Sequence, residues 1–110
     1  MNAPAAKVLF YIFRRIDLSH EQWLAEWNGD QHTSIVKRVP GLRIWVQDHA
    51  HEGENGAKAD GVGELWFESV EAMAKAMTSP EMAAAVEDAK RFLDMTRTYA
   101  LTVDETTIIA

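Results

Sequence analysis

Two side chains of the sequence have the types needed for acid–base chemistry, His32 and Glu64. A histidine titrates near neutral pH, so it can accept or donate a proton during a reaction. Glu64 lies in an apolar segment beside Trp66, where burial would raise the pKa of its carboxyl. We predict both as catalytic residues. The competing interpretations are that His32 only packs its helix and that Glu64 is solvated or paired with Arg43.

Five further residues have side chains suited to holding a small organic ligand. Aromatic rings can stack on a flat molecule, a tyrosine hydroxyl can donate a hydrogen bond, and an arginine can clamp a carboxylate. These predicted substrate-binding residues are Tyr11, Arg14, Trp27, Trp45 and Trp66. Ordinary packing or exposure at a strand end is the competing interpretation for each, and packing is favoured for Trp27.

Metal and cofactor sites receive little support. His49 and His51 are two residues apart and near Glu52, but no third ligand lies on a predicted rigid element. The sequence has no cysteine, no glycine-rich phosphate loop, and no Gly-x-Ser-x-Gly or His-Glu-x-x-His motif. We therefore predict no metal and no cofactor, and nothing supports a hydrolase, a kinase or a dinucleotide-dependent enzyme.

The composition is that of an ordinary globular domain with an acidic balance. Of 110 residues, 47% are hydrophobic and 25% are charged, and the net charge is −6. This predicts one domain over residues 1–110, with a flexible tail at residues 1–6. The charge opposes nucleic-acid binding. No apolar run approaches the roughly 20 residues of a membrane span, and none at the start resembles a signal peptide, so we expect a cytoplasmic protein with no membrane partner.

The elements that must position these residues are read from hydrophobic patterning. Strands are predicted over residues 7–14, 42–49, 62–68 and 98–104. Ser19 and Gln22 form a capping box for a first helix that continues to about Val39 and ends at Pro40-Gly41. A second helical region, residues 69–93, is broken where Ser79 and Pro80 start a new helix. The order is β-α-β-β-α-β, which predicts an α+β ferredoxin-like plait with a four-stranded antiparallel sheet.

The first helix carries an apolar stripe that suits packing on a sheet. Its members, spaced at helical intervals, are Leu24, Trp27, Gln31, Ile35 and Val39. Gly29 interrupts this helix at a cost of about 1 kcal/mol relative to alanine, so we expect a local irregularity or a close contact there.

The uncovered face of the sheet is predicted to be an interface. Alternation in the second strand puts Leu42, Ile44 and Val46 on one face and Trp45 on the other, together with Arg43, Gln47 and His49. With Glu64 and Trp66 from the third strand, this would leave aromatic and ionisable groups exposed on a small domain. Such a face predicts a homodimer, to which a tail ending in Ile108-Ile109 would contribute.

Motifs along nearly the whole chain resemble those of the EthD family. They are the segment 21–27 with its two tryptophans followed by His32, the turn Pro40-Gly41-Leu42, the strand segment 60–69, and Ser79-Pro80-Glu81 followed by Asp88 and Phe92. The resemblance implies a ferredoxin-like plait that dimerises into an α/β barrel. One departure is Thr33-Ser34-Ile35 after the histidine, where the family usually has a small residue, proline and leucine.

The resemblance also implies a function class. Proteins of this family act on small oxygenated organic molecules, mostly without a cofactor. We therefore expect a lactone, quinone or similar ring as the ligand and an isomerase, dehydratase or decarboxylase type of reaction by acid–base chemistry. Two alternatives remain open, a non-catalytic ligand-binding protein that accompanies an oxygenase and a cofactorless monooxygenase. A cavity with convergent ionisable groups would favour an enzyme, and a purely apolar cavity would favour a binder.

Overall fold

A four-stranded antiparallel sheet organises the chain. The computed structural model describes residues 6–53 and 58–110, so the predicted tail at residues 1–5 and part of the predicted loop at 50–60 lie outside the described residues. The strands run in the spatial order β2-β3-β1-β4. Their bounds are β1 Ala6–Ile12, β2 Leu42–His49, β3 Gly61–Phe67 and β4 Tyr99–Val103.

Four short helices cover one face of this sheet. They are α1 His20–Trp27, α2 Asp30–Val36, α3 Val70–Met77 and α4 Pro80–Ala89. Each of the two helical connections of the plait consists of two of these helices, and α2 packs on α4. The predicted ferredoxin-like plait with its antiparallel sheet is confirmed.

The first helical connection breaks at Gly29. The predicted capping box is present, since Ser19 accepts from the amide of Gln22 and the Gln22 side chain accepts from the amide of Ser19. The predicted single helix to about Val39 is wrong, because α1 ends at Trp27 with Asn28 as its C-cap, and Gly29 becomes the N-cap of α2. A Cβ on Gly29 would lie 2.6 Å from the carbonyl oxygen of Ala25, so only glycine permits this turn.

The first strand begins earlier and ends earlier than its sequence predicts. Ala6 belongs to β1 and is buried, so its place in a flexible tail is wrong. The strand ends at Ile12, and beyond it Arg14 forms only an isolated bridge with Leu93. The turn to α1 therefore starts sooner, which leaves Arg14 outside the sheet proper.

A β-bulge reverses the two faces of β2. The register shifts between Leu42 and Ile44, and from there Trp45 lies opposite Leu65. Because the bulge adds one residue, every later side chain points to the opposite face from the one that simple alternation predicts. The residues whose predicted faces are wrong for this reason are Ile44, Trp45, Val46, Gln47 and His49.

The open face is the side of the sheet that none of the four described helices covers. It is formed by residues 7, 9 and 11 of β1, 44, 46 and 48 of β2, 62, 64 and 66 of β3, and 99, 101 and 103 of β4. Four of its apolar side chains are 37–49% exposed, namely Ile44, Val46, Tyr99 and Leu101. The covered face, in contrast, contributes Val8, Leu65 and Phe67 to the core.

Two glycines of β3 offer a matched test of packing against Trp27. A Cβ on Gly61 would lie 2.8 Å from both the Trp27 ring and the Asp48 carbonyl oxygen, whereas one on Gly63 would meet its nearest atoms at 3.8 Å. We expect Gly61→Ala to lower the free energy of unfolding by about 1–3 kcal/mol through overpacking. Gly63→Ala should change it by less than about 0.5 kcal/mol. Equal midpoints in urea denaturation would contradict this packing.

Candidate active site

A small cavity lies between the covered face of the sheet and helices α2 and α4. Its volume is about 90 Å³. Most of its wall is aromatic or aliphatic, with Phe10, Trp27, Trp45, Leu65, Met82 and Leu93 among the lining side chains. Val86 and Met95 also line it and are each 37% exposed, so the cavity approaches the surface between α4 and the turn before β4.

His32 provides the single ionisable side chain among the described residues that line this cavity. The ring is buried and makes edge contacts with Phe92 at 4.9 Å and with Trp45 at 6.2 Å between centroids. Its Nδ1 lies 2.9 Å from Oδ2 of Asp88. In the part of the chain that the structure describes, Nε2 has no hydrogen-bond partner, which leaves it available to a molecule in the cavity.

Asp88 is a buried carboxylate held by three side chains. Gln31 donates to Oδ1 at 2.9 Å, and Arg91 donates from Nε to Oδ1 at 2.8 Å and from Nη2 to Oδ2 at 3.1 Å. The Arg91 guanidinium holds the pKa of Asp88 at about 2, with hydrogen bonds from His32 and Gln31 acting in the same direction against burial. Asp88 is therefore ionised at every physiological pH.

Arg91 links this carboxylate to the first helix. Its Nη1 donates to Oε2 of Glu26 at 2.5 Å, so one guanidinium bridges α1 and the end of α4. The two carboxylates raise the pKa of Arg91 further above its usual range. The position of Asp88, and through it that of His32, is thus fixed by contacts from both helical connections of the fold.

The proton on the His32 ring is assigned by its partner. Burial lowers the pKa of His32, with the Arg91 charge adding to it and the Asp88 carboxylate opposing it. The imidazole is therefore neutral near pH 7. Because an ionised carboxylate can only accept, Nδ1 carries the hydrogen and donates to Asp88. Nε2 then presents a lone pair to the apolar cavity, which is the arrangement of a general base oriented by a carboxylate.

The sheet separates the predicted site residues into two groups. Trp27 and Trp45 line the cavity with His32. Glu64, Trp66 and Tyr11 lie on the open face, so Glu64 does not reach the cavity that His32 lines. The reason is the pleat, since alternate residues of β3 face opposite sides of the sheet.

The open-face residues have their own partners. Lys7 Nζ lies 2.9 Å from Oε1 of Glu64 and 4.2 Å from the centroid of the Trp66 ring. Glu64 therefore pairs with Lys7, where the sequence suggested Arg43 as its partner. The ring of Tyr11 stacks on Tyr99 at 5.0 Å.

Arg14 lies in neither group. Its Nη1 donates to the carbonyl of Leu18, and its Nε is 3.8 Å from a carboxylate oxygen of Asp60. It borders a separate polar pocket of about 260 Å³ together with His20 and His51. The Arg14 guanidinium already contacts Leu18 and Asp60, and it does not line the cavity. Its role as a carboxylate clamp stays a prediction.

The histidines near the end of β2 do not gather into a metal site within the described residues. His49 Nε2 lies 3.0 Å from Oε1 of Gln47, and its ring contacts Trp27. Over residues 6–53 and 58–110, no group of three or more His, Cys, Asp or Glu side chains could hold a metal ion. In the same ranges, no helix is long and apolar enough to cross a membrane.

Sequence reasoning missed Asp88 and Arg91 as site residues. Asp88 was noted only as part of a motif, yet it follows Ala85 by three residues and precedes Ala89, so it lies on the buried side of α4. An acid on the apolar face of an amphipathic helix needs a partner, because burying an unpaired charge is costly. That signal, with Arg91 three residues later, could have identified the pair.

Comparisons with known proteins agree with the fold. The EthD domain model matches residues 15–96. No curated protein sequence matches the chain.

Among solved structures, an ethyl tert-butyl ether d (ethd) family protein from Bacillus halodurans is 17% identical, with 92% of this chain and 99% of that chain covered and a TM-score of 0.73. A dimeric ferredoxin-like protein of unknown function from Bacteroides fragilis is 13% identical, with coverage of 91% and 95% and a TM-score of 0.67. SnoaB, a cofactor-independent oxygenase from Streptomyces nogalater, is 9% identical, with coverage of 96% and 98% and a TM-score of 0.65. At these identities the similarity is one of fold.

Proposed function

The chain belongs to the EthD domain family, and from that starting point we propose that it binds a small uncharged organic molecule in the cavity and catalyses proton transfer through His32. One observation supports this most strongly. The neutral His32 ring, hydrogen-bonded at Nδ1 to a buried Asp88 carboxylate, has no partner at Nε2 among the described residues and borders an apolar cavity.

The cavity wall argues for an uncharged ligand. No lysine or arginine belongs to its described lining, so a carboxylate or phosphate would lose its hydration without gaining a counter-ion. The volume of about 90 Å³ is small beside the roughly 300–1,000 Å³ of sites for drug-sized ligands. Met82 and Met95 are flexible side chains that can move to admit a larger molecule. A single lactone, quinone or phenol-like ring fits these conditions.

The proposed chemistry needs only side chains of the protein. Nε2 of His32 removes a proton from an acidic C–H or O–H of the substrate, and the imidazolium formed is stabilised by the Asp88 carboxylate. Return of that proton to a different substrate atom gives an isomerisation. Its delivery to a leaving hydroxyl gives a dehydration. Both routes restore the neutral ring.

A ligand-binding protein without catalysis is the second candidate. The described lining of the cavity contains one ionisable side chain, that of His32, whereas an acid–base pair would be typical of an enzyme. This feature favours a binder. The two candidates differ in one property, since only a catalytic base exchanges a substrate proton with water.

Deuterium exchange decides between these candidates without knowledge of the product. We would incubate the wild-type protein in D₂O with a panel of lactones, cyclic 1,3-diketones and hydroquinones, and follow quenching of tryptophan fluorescence as evidence of binding. Carbon-bound deuterium would be read by mass spectrometry. We expect catalysed exchange into at least one compound that binds. Compounds that bind at the cavity and never exchange faster than in buffer would instead establish the binder.

We also propose that the protein is a homodimer. The support is the partly exposed apolar surface of the open face and the fold shared with a protein described as dimeric. A second copy would remove these side chains from water, which is the usual origin of such interfaces.

A further inference from the structure

The indole N–H of Trp27 is a hydrogen-bond donor without an acceptor among the described residues. Trp27 is only 3% exposed, and it lines the cavity together with His32. The described nitrogens that are both fully buried and without a partner are Nε1 of Trp23 and Nε2 of His20. Nε1 of Trp27 is not one of these sealed atoms. It is therefore open to a molecule in the cavity.

Two glycines of β3 define how the Trp27 ring lies. A Cβ on Gly61 would meet Cζ3 of the ring at 2.8 Å and Cη2 at 3.1 Å, whereas a Cβ on Gly63 would meet Cζ2 at 3.8 Å. Of these three carbons, Cζ2 is the one nearest to Nε1 in the indole. Gly63 belongs to the described lining of the cavity and Gly61 does not. The nitrogen-bearing side of the Trp27 ring therefore lies on the cavity side.

Thr98 and Trp45 are the alternative donors in the described lining. The hydroxyl of Thr98 already donates to the carbonyl oxygen of Asp94 at 2.9 Å. The ring of Trp45 meets that of His32 edge to face, at 6.2 Å between centroids. No described contact orients the Trp45 N–H as the β3 glycines orient that of Trp27. Trp27 is thus the donor whose direction toward the cavity is fixed.

Removal of a proton next to a carbonyl group needs such a donor. As the C–H bond breaks, the proton passes to Nε2 of His32 and the electron pair spreads onto the carbonyl oxygen, which becomes an enolate. Asp88 stabilises the imidazolium, but the enolate oxygen would lie against an apolar wall, where an unpaired charge is costly. An N–H that already points at this oxygen lowers the barrier, because the oxygen gains charge in the transition state.

We propose that Nε1–H of Trp27 binds the carbonyl oxygen of the substrate and stabilises the enolate that forms when His32 removes the neighbouring proton. The substrate class is then an uncharged cyclic ketone or lactone with a C–H next to its carbonyl group. A cavity of about 90 Å³ holds one small ring, so both groups can contact the same molecule. The assignment rests on the proposed function, since an enolate forms only if His32 acts as the base.

Indole ¹H–¹⁵N NMR tests the hydrogen bond without any need for catalysis. Cyclohexanone is the probe, and methylenecyclohexane, which has a similar shape and no oxygen, is the control ligand. We expect the Nε1–H proton signal of Trp27 to move downfield with cyclohexanone and not with methylenecyclohexane. The shift should persist in His32→Asn. A Trp27 signal that stays in place, one that moves alike with both ligands, or a downfield shift confined to Trp45 would overturn the proposal.

Deuterium exchange at the carbons next to the cyclohexanone carbonyl tests the stabilisation of the enolate. Trp27→Phe keeps a ring in the wall and removes the N–H. We expect its kcat to fall about 10²-fold, the usual effect of losing one such donor, while KM rises no more than about tenfold. Trp23→Phe is the matched control, because Trp23 stacks on Trp27 at 5.3 Å and lies outside the described lining. It should keep most of the wild-type kcat.

The outcomes separate this role from the proposed function. Wild-type exchange that is retained in a folded Trp27→Phe protein would overturn the role of Trp27 and leave His32 as the base. No exchange in the wild-type protein would overturn the proposed function, and the stabilisation of an enolate with it. If Trp27→Phe does not fold, the NMR measurement on the wild-type protein still decides whether Trp27 holds the carbonyl oxygen.

Discussion

His32→Asn is expected to lower the rate of substrate deuterium exchange by about 10²- to 10⁴-fold, the usual contribution of a general base. The asparagine amide can occupy the place of Nδ1 and donate to Asp88 as the ring does, so the buried carboxylate keeps a partner. It has no group that titrates near pH 7. The substitution therefore removes the base while it preserves the hydrogen bond.

His49→Asn is the control for that experiment. His49 lies on β2 outside the described lining of the cavity and is bonded to Gln47. The rate of exchange in this variant should match the wild-type rate within about twofold, because His49 is exposed and does not belong to the described cavity lining. Surface substitutions also seldom change stability by more than about 0.5 kcal/mol. A folded His32→Asn protein with the wild-type exchange rate would exclude the ring as the base.

Asp88→Asn is expected to cause both inactivation and a loss of stability. The new side chain has an NH₂ group in place of one carboxylate oxygen. That NH₂ group must face either Nδ1 of His32 or the donors of Gln31 and Arg91. In the first case the hydrogen of the ring moves to Nε2 and Nη2 of Arg91 loses its acceptor. In the second case Gln31 and Nε of Arg91 lose their acceptor, while Arg91 keeps its bond to Glu26. We expect the exchange rate to fall by about 10²- to 10⁴-fold, comparable to loss of the base.

The stability change has a defined dependence on pH. A carboxyl whose pKa is about 2 in the folded protein and about 3.9 in the unfolded chain contributes about 2–3 kcal/mol at neutral pH. Because the folded-state pKa is depressed, this contribution is complete above about pH 4 and is lost as the pH falls through 2. Urea denaturation between pH 2 and 7 should therefore show a smaller acid-induced loss in Asp88→Asn than in the wild type.

Glu26→Gln separates the two carboxylates that share Arg91. Glu26 is 45% exposed at its side chain, whereas Asp88 is 7% exposed. An exposed ion pair contributes about 0–1 kcal/mol, so Glu26→Gln should have little effect on either stability or exchange. If it inactivated the protein as strongly as Asp88→Asn, the bridge from Arg91 to α1 would be more important than the direct hydrogen bond to His32.

The element order of the fold was predictable because its signals are local. The capping box at Ser19 and the serine and proline that start α4 depend on neighbouring residues alone. Gly29 was expected to disturb the first helix, but its full break depends on a contact with the carbonyl of Ala25. Local patterns thus located the elements more reliably than they located their ends.

The faces of β2 were not predictable from alternation. A bulge between Leu42 and Ile44 reverses the strand, and a bulge is set by pairing with β3, which is a contact distant in sequence. Trp45 consequently joined His32 on the covered face, while Glu64 remained on the other side. The separation of Glu64 from His32 has a different cause, the pleat of β3, which turns alternate side chains to opposite sides of the sheet.

The His32 site was predictable in part. The residue type and the resemblance to the EthD motif both pointed to His32, and its ring is buried beside the cavity. Its partner Asp88 is 56 residues away, so only the packing of α2 on α4 brings the two together. The acid on the apolar side of α4 was the available clue.

Nitrogen-15 NMR of the His32 ring tests the central claim most directly. The claim is that a neutral imidazole, protonated at Nδ1, directs its Nε2 lone pair into the cavity. At pH 7 the shifts of the two ring nitrogens, assigned by their absence in His32→Asn, should show a protonated Nδ1 and an unprotonated Nε2, with a titration midpoint below the usual 6.5. An imidazolium at pH 7, or a hydrogen on Nε2, would contradict the account, because neither form offers a base to the cavity.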